Sequence, residues 1–440
     1  MSAHLMLRAA GMSLASITLA SLAVAGPADG IDAAGAASPI AELTVGPPAD
    51  YPDVRLFNGY GFSGQAAFNP RDPKRLAVGI VVVGNPSQCS VRTSADGGKT
   101  WAPPVPLRPL PGAIGTCYYQ FVPAITYGAD GRLYAAYVYH RSSAYGGVAV
   151  SSSADQGQTW TVPKSAFGDV WLEDSLDNLR LAPSADGHLY AGAILSNYAG
   201  GGYQDSILFS SSADQGSSWS PVKSVITTYP DTGRTIYGFS LAAGRKGDVL
   251  VAYGWEEYRS DYYSILKVAR STNHGGSFTY GAADEQPGSR QLSVPDIKIG
   301  PLGTAHLVYL RDVNTGAEVD YKFSSPPYQN WSATPVRLGA GATVRQPLLA
   351  LGGCGAATVL HATWREYVTN STRIRYVRRL ARAGSAWSAP LKVGQINSVF
   401  EQGLAAAGPN AFAVFSGRTS TGPDKWGILG SRISSGITCP

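Results

Sequence analysis

The sequence predicts an all-β fold, a β-propeller of four-stranded antiparallel blades. Three observations lead to this prediction: a polar turn that recurs at equal spacing, a strand pattern that repeats with it, and a composition suited to short strands. The chain has 440 residues, with 52 glycines and 24 tyrosines. Glycine permits tight turns and tyrosine favours strands. A strand-rich repeat of roughly 40–60 residues is typical of a propeller.

The recurring turn has the form Ser-x-Asp-x-Gly-x-Thr-Trp. Its copies begin at Ser94, Ser153, Ser212 and Ser271, each 59 residues after the one before. The Asp carboxylate can accept hydrogen bonds from backbone N–H groups of the turn, and the Gly permits a positive φ. The third copy has Ser for Thr, and the fourth has Asn for Asp and Phe for Trp. We therefore expect four equivalent strand connections, each anchored by an aromatic side chain.

The strands around these turns repeat as well. A strand that follows a glycine turn appears seven times, whereas the aromatic residue that opens the fourth strand appears six times. The segment Ile40-Ala41-Glu42-Leu43-Thr44-Val45 alternates like a strand and belongs to no other repeat. We expect this N-terminal strand to complete the last blade and so to close the ring. The count favours seven blades, with six as the alternative.

The turn resembles the Asp box, or bacterial neuraminidase repeat, of the sialidase-like β-propellers. The resemblance covers most of residues 60–390 as architecture, and the boxes are specific for that family. It implies that each box joins the third and fourth strands of a blade on the face away from the active site. No catalytic residue is therefore expected in the boxes.

The N-terminal segment predicts export. Residues 1–25 combine Arg8, an apolar run and the small-residue pattern Ala23-Val24-Ala25, as in a signal peptide. Residues 26–39 are rich in Ala and Gly and predict a flexible leader, and residues 40–440 predict a single propeller domain. We expect a secreted or periplasmic protein. No later stretch reaches the roughly 18 apolar residues of a membrane span, so none is expected.

The charge and the histidines limit the partners. The formal net charge is +5, and no basic run is dense enough for nucleic-acid binding. The six histidines show no metal-ligand spacing, so neither a metal nor another cofactor is expected. We expect a monomer whose partner is a glycan or a glycoconjugate.

Four cysteines in an exported chain favour two disulfides. In the predicted propeller Cys89 and Cys117 both lie in loops of the upper face, where the innermost strands begin. Cys354 and Cys439 both lie at the lower face. We therefore expect the pairs Cys89–Cys117 and Cys354–Cys439, because the other pairings would have to cross the molecule.

Four arginines suggest an anion site on the upper face. Arg311, Arg365 and Arg418 end the second strand in three consecutive blades, and Arg345 starts a nearby innermost strand. Guanidinium groups that converge would repel each other unless they bind an anion, and Arg holds a carboxylate by two hydrogen bonds. We expect these residues to bind the substrate. The alternative is that the acidic residues directly following two of them are their partners.

The family resemblance also implies a catalytic set: an Arg triad for the substrate carboxylate, an Asp acid, and a Tyr nucleophile assisted by a Glu. The family's N-terminal Phe/Tyr-Arg-Ile-Pro motif is missing, since the nearest segment is Val54-Arg55-Leu56-Phe57. By position we nominate Tyr237 as nucleophile, Glu401 as its helper and Asp177 as acid. A Tyr hydroxyl, with a pKa near 10, needs such a carboxylate base.

Three functions fit these features. The boxes, the export signal and the arginines favour a secreted exo-glycosidase of sialidase type that acts on an acidic sugar. The missing motif and the seven-blade count favour a non-catalytic propeller that binds carbohydrate or protein. A polysaccharide lyase is the third, and His140 with Tyr237 would be its catalytic pair.

Overall fold

The computed structural model describes residues 44–45, 47–59, 61–84, 87–117, 122–142, 145–171, 175–199, 202–228, 234–258, 261–288, 291–341, 343–354, 357–368, 371–382, 384–394, 398–418 and 426–438. In these residues every regular element is a β-strand, and the strands form seven antiparallel blades of a β-propeller. The predicted fold and the favoured blade count are confirmed. No helix in this part of the chain is long and apolar enough to cross a membrane. The expected export signal and leader lie outside the described residues.

The strands of the first half follow one another in chain order. Before the first blade lie β1 (Thr44–Val45), β2 (Ala49–Asp50) and β3 (Val54–Asn58). Blade 1 contains β4 (Gly61–Asn69), β5 (Asp72–Val82), β6 (Gln88–Ser94) and β7 (Val105–Pro106). Blade 2 contains β8 (Gly115–Thr116), β9 (Ala124–Tyr127), β10 (Leu133–His140), β11 (Tyr145–Ser153), β12 (Lys164–Ser165) and β13 (Val170–Trp171). Blade 3 contains β14 (Ser175–Pro183), β15 (Leu189–Ala199), β16 (Gly202–Ser212) and β17 (Lys223–Thr227).

The second half continues the same order. Blade 4 contains β18 (Thr235–Ala243), β19 (Val249–Tyr258), β20 (Tyr262–Ser271) and β21 (Thr279–Pro287). Blade 5 contains β22 (Leu292–Ile299), β23 (Ala305–Val313), β24 (Gly316–Ser324) and β25 (Val336–Gly341). Blade 6 contains β26 (Val344–Cys354), β27 (Ala357–Val368), β28 (Ser371–Leu380) and β29 (Leu391–Val393). Blade 7 contains β30 (Ser398–Ala407), β31 (Asn410–Arg418) and β32 (Trp426–Ser434), and β33 (Ile437–Thr438) follows it.

The N-terminal segment closes the ring, but through other residues than the sequence predicts. β3 and β2 both pair with β32 and supply the outer strand of blade 7. Of the segment 40–45, the described part is β1, which pairs with β33 beyond the blade. The prediction that residues 40–45 form the fourth strand is therefore wrong. The strand that takes this place, residues 54–58, has apolar side chains at Val54, Leu56 and Phe57, and Leu56 is fully buried in the cluster between blades 7 and 1.

The four Asp boxes connect the third and fourth strands of blades 1 to 4, as predicted. In the second box Ser153 Oγ accepts a hydrogen bond from Gly157 N at 2.7 Å, and Asp155 Oδ1 accepts one from Thr159 N at 2.9 Å. Gly157 has φ of 86°, the left-handed conformation that glycine favours. All four boxes lie on the lower face, opposite the end where the innermost strands begin.

Apolar clusters fill the junctions between blades. Val91 of blade 1 belongs to one cluster with Tyr137 of blade 2, and Ile80 of blade 1 belongs to another with Phe412 of blade 7. Each of the seven junctions has such a cluster. Burial at every junction holds the ring together, because each blade packs only on its neighbours.

One predicted disulfide is confirmed. Cys89, in β6, is bonded to Cys117, and their Cα atoms are 5.4 Å apart. It links blade 1 to the segment between β8 and β9 of blade 2. The pair Cys354–Cys439 stays a prediction, because residue 439 and the side chain of residue 354 lie outside the described part of the structure.

Candidate functional site

The innermost strands enclose a channel along the axis of the ring. Its cavity has a volume of about 820 Å³ and is lined by residues from the innermost strands of all seven blades. Its upper part carries polar and charged side chains, whereas small apolar side chains such as Ala243 and Ala406 dominate further along the strands. A ligand that enters from the upper face therefore meets the charged part of the channel first.

Six of the seven innermost strands contain a β-bulge near their upper end, at the second or third residue of the strand. We call these six positions the bulge ring. A bulge bends the strand and re-aims the side chains beside it, and bulges are common next to active sites. Val294, inside one of them, has φ of 46°, which is unusual for a β-branched residue.

The bulge ring has two tiers. The residue paired just before each bulge belongs to the upper tier, and the residue paired just after it belongs to the lower tier. The upper tier consists of Phe62, Asp177, Tyr237, Ser293, Arg345 and Val399. The lower tier consists of Gln65, Arg180, Phe239, Asp296, Leu348 and Glu401.

Four residues that the sequence nominates for separate roles lie at backbone positions of the bulge ring. Asp177, Tyr237 and Arg345 occupy the same upper-tier position in blades 3, 4 and 6, and Glu401 occupies the lower tier in blade 7. The side chain of Asp177 lies outside the described atoms, so only its backbone position is known. These nominations remain predictions of role, but they now share one structural element.

Tyr237 has a carboxylate partner, and it is Glu256 of the neighbouring strand β19. The Tyr237 hydroxyl donates a hydrogen bond of 2.7 Å to Glu256 Oε2. Burial and then this hydrogen bond raise the pKa of Tyr237 to about 12. Tyr237 therefore holds its proton at neutral pH and shares it with a base in direct contact. The nominated helper, Glu401, instead accepts a hydrogen bond of 3.2 Å from Gln346 Nε2.

The lower tier contains a charged group that the sequence does not reveal. Arg180, Asp296 and Glu401 come from blades 3, 5 and 7, and all three line the channel. Desolvation lowers the pKa of Arg180, and attraction to Asp296 and Glu401 opposes that shift. A cation thus lies within electrostatic range of two carboxylates on the axis. No local motif marks these residues, because they are far apart in the chain.

Asp296 also ties three innermost strands together. Its carboxylate accepts hydrogen bonds from Ser240 Oγ at 2.9 Å and from Leu349 N at 2.8 Å. Lys298 Nζ lies 2.5 Å from Asp296 Oδ1. Asp296 is 8 % exposed, so these contacts satisfy a carboxylate that is almost removed from water.

Arg311 is a link between blades 4 and 5. Its guanidinium donates to Asp320 Oδ2 at 2.7 Å, to Gln286 Oε1 at 3.2 Å and to Asp284 Oδ2. Tyr309, on the same face of β23, packs in the cluster between these blades. The pleat places Arg311 on the opposite blade face from Arg365, so the two positions are not equivalent. Its substrate-binding role stays a prediction that these contacts do not support.

The other three arginines lie around blades 6 and 7. Arg345 and Arg365 are directly opposite each other on β26 and β27. Arg365 donates to the backbone oxygens of Val399, at 3.2 Å, and Phe400, whereas its Nε is buried with no hydrogen-bond partner. Arg345 and Arg418 are exposed, and neither forms an ion pair within the described residues. The alternative that adjacent acidic residues neutralise these arginines does not apply: Glu366 pairs with Arg375 instead.

An aromatic side chain lies beside these arginines at the channel mouth. Phe400 lines the channel and is 42 % exposed, and its ring centroid lies 4.9 Å from that of Trp426. An exposed aromatic face next to charged hydrogen-bonding groups suits a sugar ring. Away from the mouth, the described residues hold one group of potential metal ligands, formed by Asp186, His188 and His274 on the lower face.

Solved structures are similar to this chain at low sequence identity. The polysaccharide lyase Uly1 is 10% identical with a TM-score of 0.50, and the match covers 89% of this chain and 99% of that chain. An α-L-arabinanase from Penicillium chrysogenum is 13% identical with a TM-score of 0.49, over 88% and 99% of the two chains. A Hadza microbial sialidase is 13% identical with a TM-score of 0.47, over 79% and 73%.

The family assignment comes from the sequence itself. No curated protein matches the chain. The BNR repeat-like domain family matches residues 69–307, more than half of the chain, and that range contains all four boxes. The boxes, the seven blades and this match agree, and the chain belongs to the BNR repeat-like family.

Proposed function

We propose that this protein is an exported exo-glycosidase that acts on an acidic sugar at the upper mouth of the axial channel. Tyr237 is the nucleophile, and Glu256 accepts its proton. The observation that carries the proposal is the hydrogen bond of 2.7 Å between these two side chains on the bulge ring. Glu256 thus takes the helper role for which chain position alone nominates Glu401.

The chemistry follows from the protonation state of Tyr237. Since its pKa is raised to about 12, the phenol attacks only if a base removes the proton as the new bond forms. Glu256 is within reach to do so. The Tyr oxygen bonds to the anomeric carbon, and the bond to the leaving oxygen breaks. An acid protonates that oxygen, and water then releases the sugar from Tyr237. We assign the acid to Asp177, the equivalent upper-tier residue of the preceding blade.

Arg345 and Arg365 are the proposed carboxylate-binding residues. Like charges directly opposite on paired strands destabilise a sheet, and these two arginines have no acidic partner among the described residues. A bound carboxylate would neutralise both, and the buried Nε of Arg365 lacks an acceptor that such a ligand could supply. Arg418 extends the same positive surface. Phe400 would then support the apolar face of the sugar ring.

The test is an assay of the purified protein against fluorogenic glycosides of sialic acid and of hexuronic acids. Tyr237→Phe and Glu256→Gln should each lower kcat/KM by at least about 100-fold, because each removes one half of the nucleophile–base pair. Tyr280→Phe is the matched control. Tyr280 lies on the outer strand β21, and its hydroxyl donates to Val225 O, so activity should be kept.

The other outcomes are informative. Glycan binding without turnover, lost in Arg345→Ala and Arg365→Ala, would establish the non-catalytic propeller and remove the enzyme proposal. An unsaturated product would make the protein a lyase in which Tyr237 acts as a base, and His140→Gln would then be the next variant. If the protein neither binds nor cleaves any acidic glycan, the proposed function is wrong.

A further inference from the structure

We propose that the lower face carries a binding site for a divalent transition-metal ion of the zinc class, formed by Asp186, His188 and His274 between blades 3 and 4. This site is separate from the axial channel and does not depend on the proposed catalytic function. The three residues are the described group whose potential ligand atoms all lie within 4.8 Å of one another.

Two different turns supply the ligands. Asp186 and His188 lie in the tight turn between β14 and β15, where Ser184 N donates to His188 O at 2.9 Å. His274 lies in the fourth Asp box, with φ of 58°. The ligands are thus 86 residues apart in the chain, from 188 to 274, and no spacing motif can reveal them.

The distances suit a small ion with nitrogen and oxygen ligands. Asp186 Oδ1 and His188 Nδ1 are 3.1 Å apart. Zinc bonds of about 2.0–2.2 Å place tetrahedral ligands about 3.3 Å apart, so an ion can replace the proton between these two atoms. The third ligand atom lies within 4.8 Å of the other two, so it has to approach by at most roughly 1.5 Å. The ring centroids of His188 and His274 lie 3.8 Å apart in a stack, so one ring has to turn before nitrogens of both rings can face the same ion.

Neighbouring side chains form hydrogen bonds to the proposed ligands and so orient them. His274 Nδ1 lies 2.8 Å from the Tyr190 hydroxyl, which leaves Nε2 for the ion. Asp186 Oδ1 accepts a hydrogen bond from Ser184 Oγ. In metal sites, hydrogen bonds of this kind from neighbouring residues orient the side chains that bind the ion. Next to His274, a Cβ atom on Gly247 would lie 2.9 Å from Nε2, so a larger residue at position 247 would press on this nitrogen.

The junction between blades 1 and 2 shows what the same backbone does without imidazoles. The second box has Gln156 at the position of His274, with φ of 61°. Its side-chain amide lies 3.4 Å from Asn69 Nδ2 and 3.4 Å from Gly131 O. Side-chain amides thus connect blade 1 to blade 2 by hydrogen bonds. At the junction of blades 3 and 4, the imidazoles of His188 and His274 and the carboxylate of Asp186 replace these amides.

The site is open to solvent through a second cavity of about 250 Å³. Asp186 and His188 line it, together with Arg71 and Asp130 on its opposite side. A bound ion would therefore keep a water molecule on its cavity side and three protein ligands on the other. Three ligands with one open position is a common arrangement for zinc.

The experiment uses tag-free protein, because a histidine tag would itself bind metal. Isothermal titration with Zn²⁺ should give a single ion per chain, and Co²⁺ should give the visible absorption of a tetrahedral complex. His274→Gln introduces the residue that the second and third boxes carry at this position, so the fold should be kept. This variant should bind Zn²⁺ at least about tenfold more weakly. His140→Gln, on the upper face, should bind as the wild type does.

Thermal unfolding gives an independent readout. A metal that binds only the folded state raises Tm as its concentration increases, and His274→Gln should lose that increase. If wild-type protein binds no Zn²⁺, or if His274→Gln binds it unchanged, the site does not exist. Glycosidase assays after chelation separate the two proposals: activity should be unaffected by metal removal.

Discussion

The two ends of the propeller differ in what is repeated from blade to blade. On the lower face the same residues recur, and in all four boxes the hydrogen bond from the Gly N–H to the Ser hydroxyl recurs with them. At the upper mouth the backbone feature recurs, since six strands share a bulge, but the residues beside it are Asp177, Tyr237 or Arg345. Repeated side chains maintain the fold, whereas varied side chains on a repeated backbone provide one site. Functional residues are therefore to be sought where the backbone repeats from blade to blade but the side chains do not.

The largest effect should come from the upper end, at Asp296. Asp296→Ala leaves Leu349 N without its acceptor and removes the carboxylate beside Lys298. The loss of one partner from a buried charged network costs about 3–5 kcal/mol. Urea unfolding followed by tryptophan fluorescence measures the change. Asp296→Asn keeps an acceptor for Leu349 N, so it should cost less.

Asp312→Ala is the control for Asp296→Ala. Asp312 lies in the same blade, and its side chain is partly exposed. We expect a change below about 0.5 kcal/mol there. Equal losses at both positions would show that the charged group on the axis does not hold the ring, and that the two ends differ less than the contacts indicate.

A medium effect is expected in the first box, at two adjacent glycines. Gly97 and Gly98 both have positive φ, of 72° and 88°. A Cβ on Gly98 would lie 2.8 Å from Phe412 of blade 7, whereas a Cβ on Gly97 meets nothing within 4 Å. Gly97→Ala should therefore cost about 1 kcal/mol from backbone strain alone. Gly98→Ala should cost about 2–4 kcal/mol, because overpacking adds to the strain.

Thermal unfolding of the two glycine variants measures the difference directly. If both lose the same stability, the box glycine is needed only for its backbone conformation, and the contact with Phe412 contributes nothing. A larger loss in Gly98→Ala would show that each box also fixes the packing of its blade on the preceding one.

The smallest effect concerns the box carboxylates and pH. The Thr159 hydroxyl and backbone N–H are the main causes that lower the pKa of Asp155 from 3.8 to about 2. The corresponding Ser218 groups lower the pKa of Asp214 to about 2 as well. Because the folded pKa lies below the unfolded one, these carboxylates add stability above pH 3.8 that is lost as pH falls through about 2.

Asp155→Asn should cost less than about 1 kcal/mol at neutral pH, since the group is partly exposed to solvent. The fourth box already carries Asn273, whose Oδ1 accepts from Ser277 N at 2.9 Å. Replacing Asp96, Asp155 and Asp214 together with Asn should flatten the loss of Tm between about pH 5 and pH 2. An unchanged acid slope would place the acid sensitivity elsewhere in the molecule.

The sequence predicts what is local and fails where distant strands meet. The boxes, the seven blades and the bond between Cys89 and Cys117 follow from spacing and turn chemistry, and the structure confirms them. Which N-terminal segment pairs with β32 depends on contacts between opposite ends of the chain and not on local sequence. Likewise Glu256, rather than Glu401, meets Tyr237 because the two lie on adjacent strands of one blade. The position of a residue in the repeat predicts where it lies along the channel axis, but it does not predict which side chain it contacts.

The ring closes through strands from both ends of the chain, so folding of the propeller cannot be completed before β32 has been synthesised. Residue 54 pairs with residue 430, so blade 7 joins segments from opposite ends of the described chain. During synthesis the first blade is complete long before β32 exists. The nascent protein must therefore pass through an open arc with two unpaired strand edges, which are sites of aggregation. The contact that closes the propeller is thus among the most non-local ones in the molecule, and the entropy cost of closing its loop comes at the end of folding.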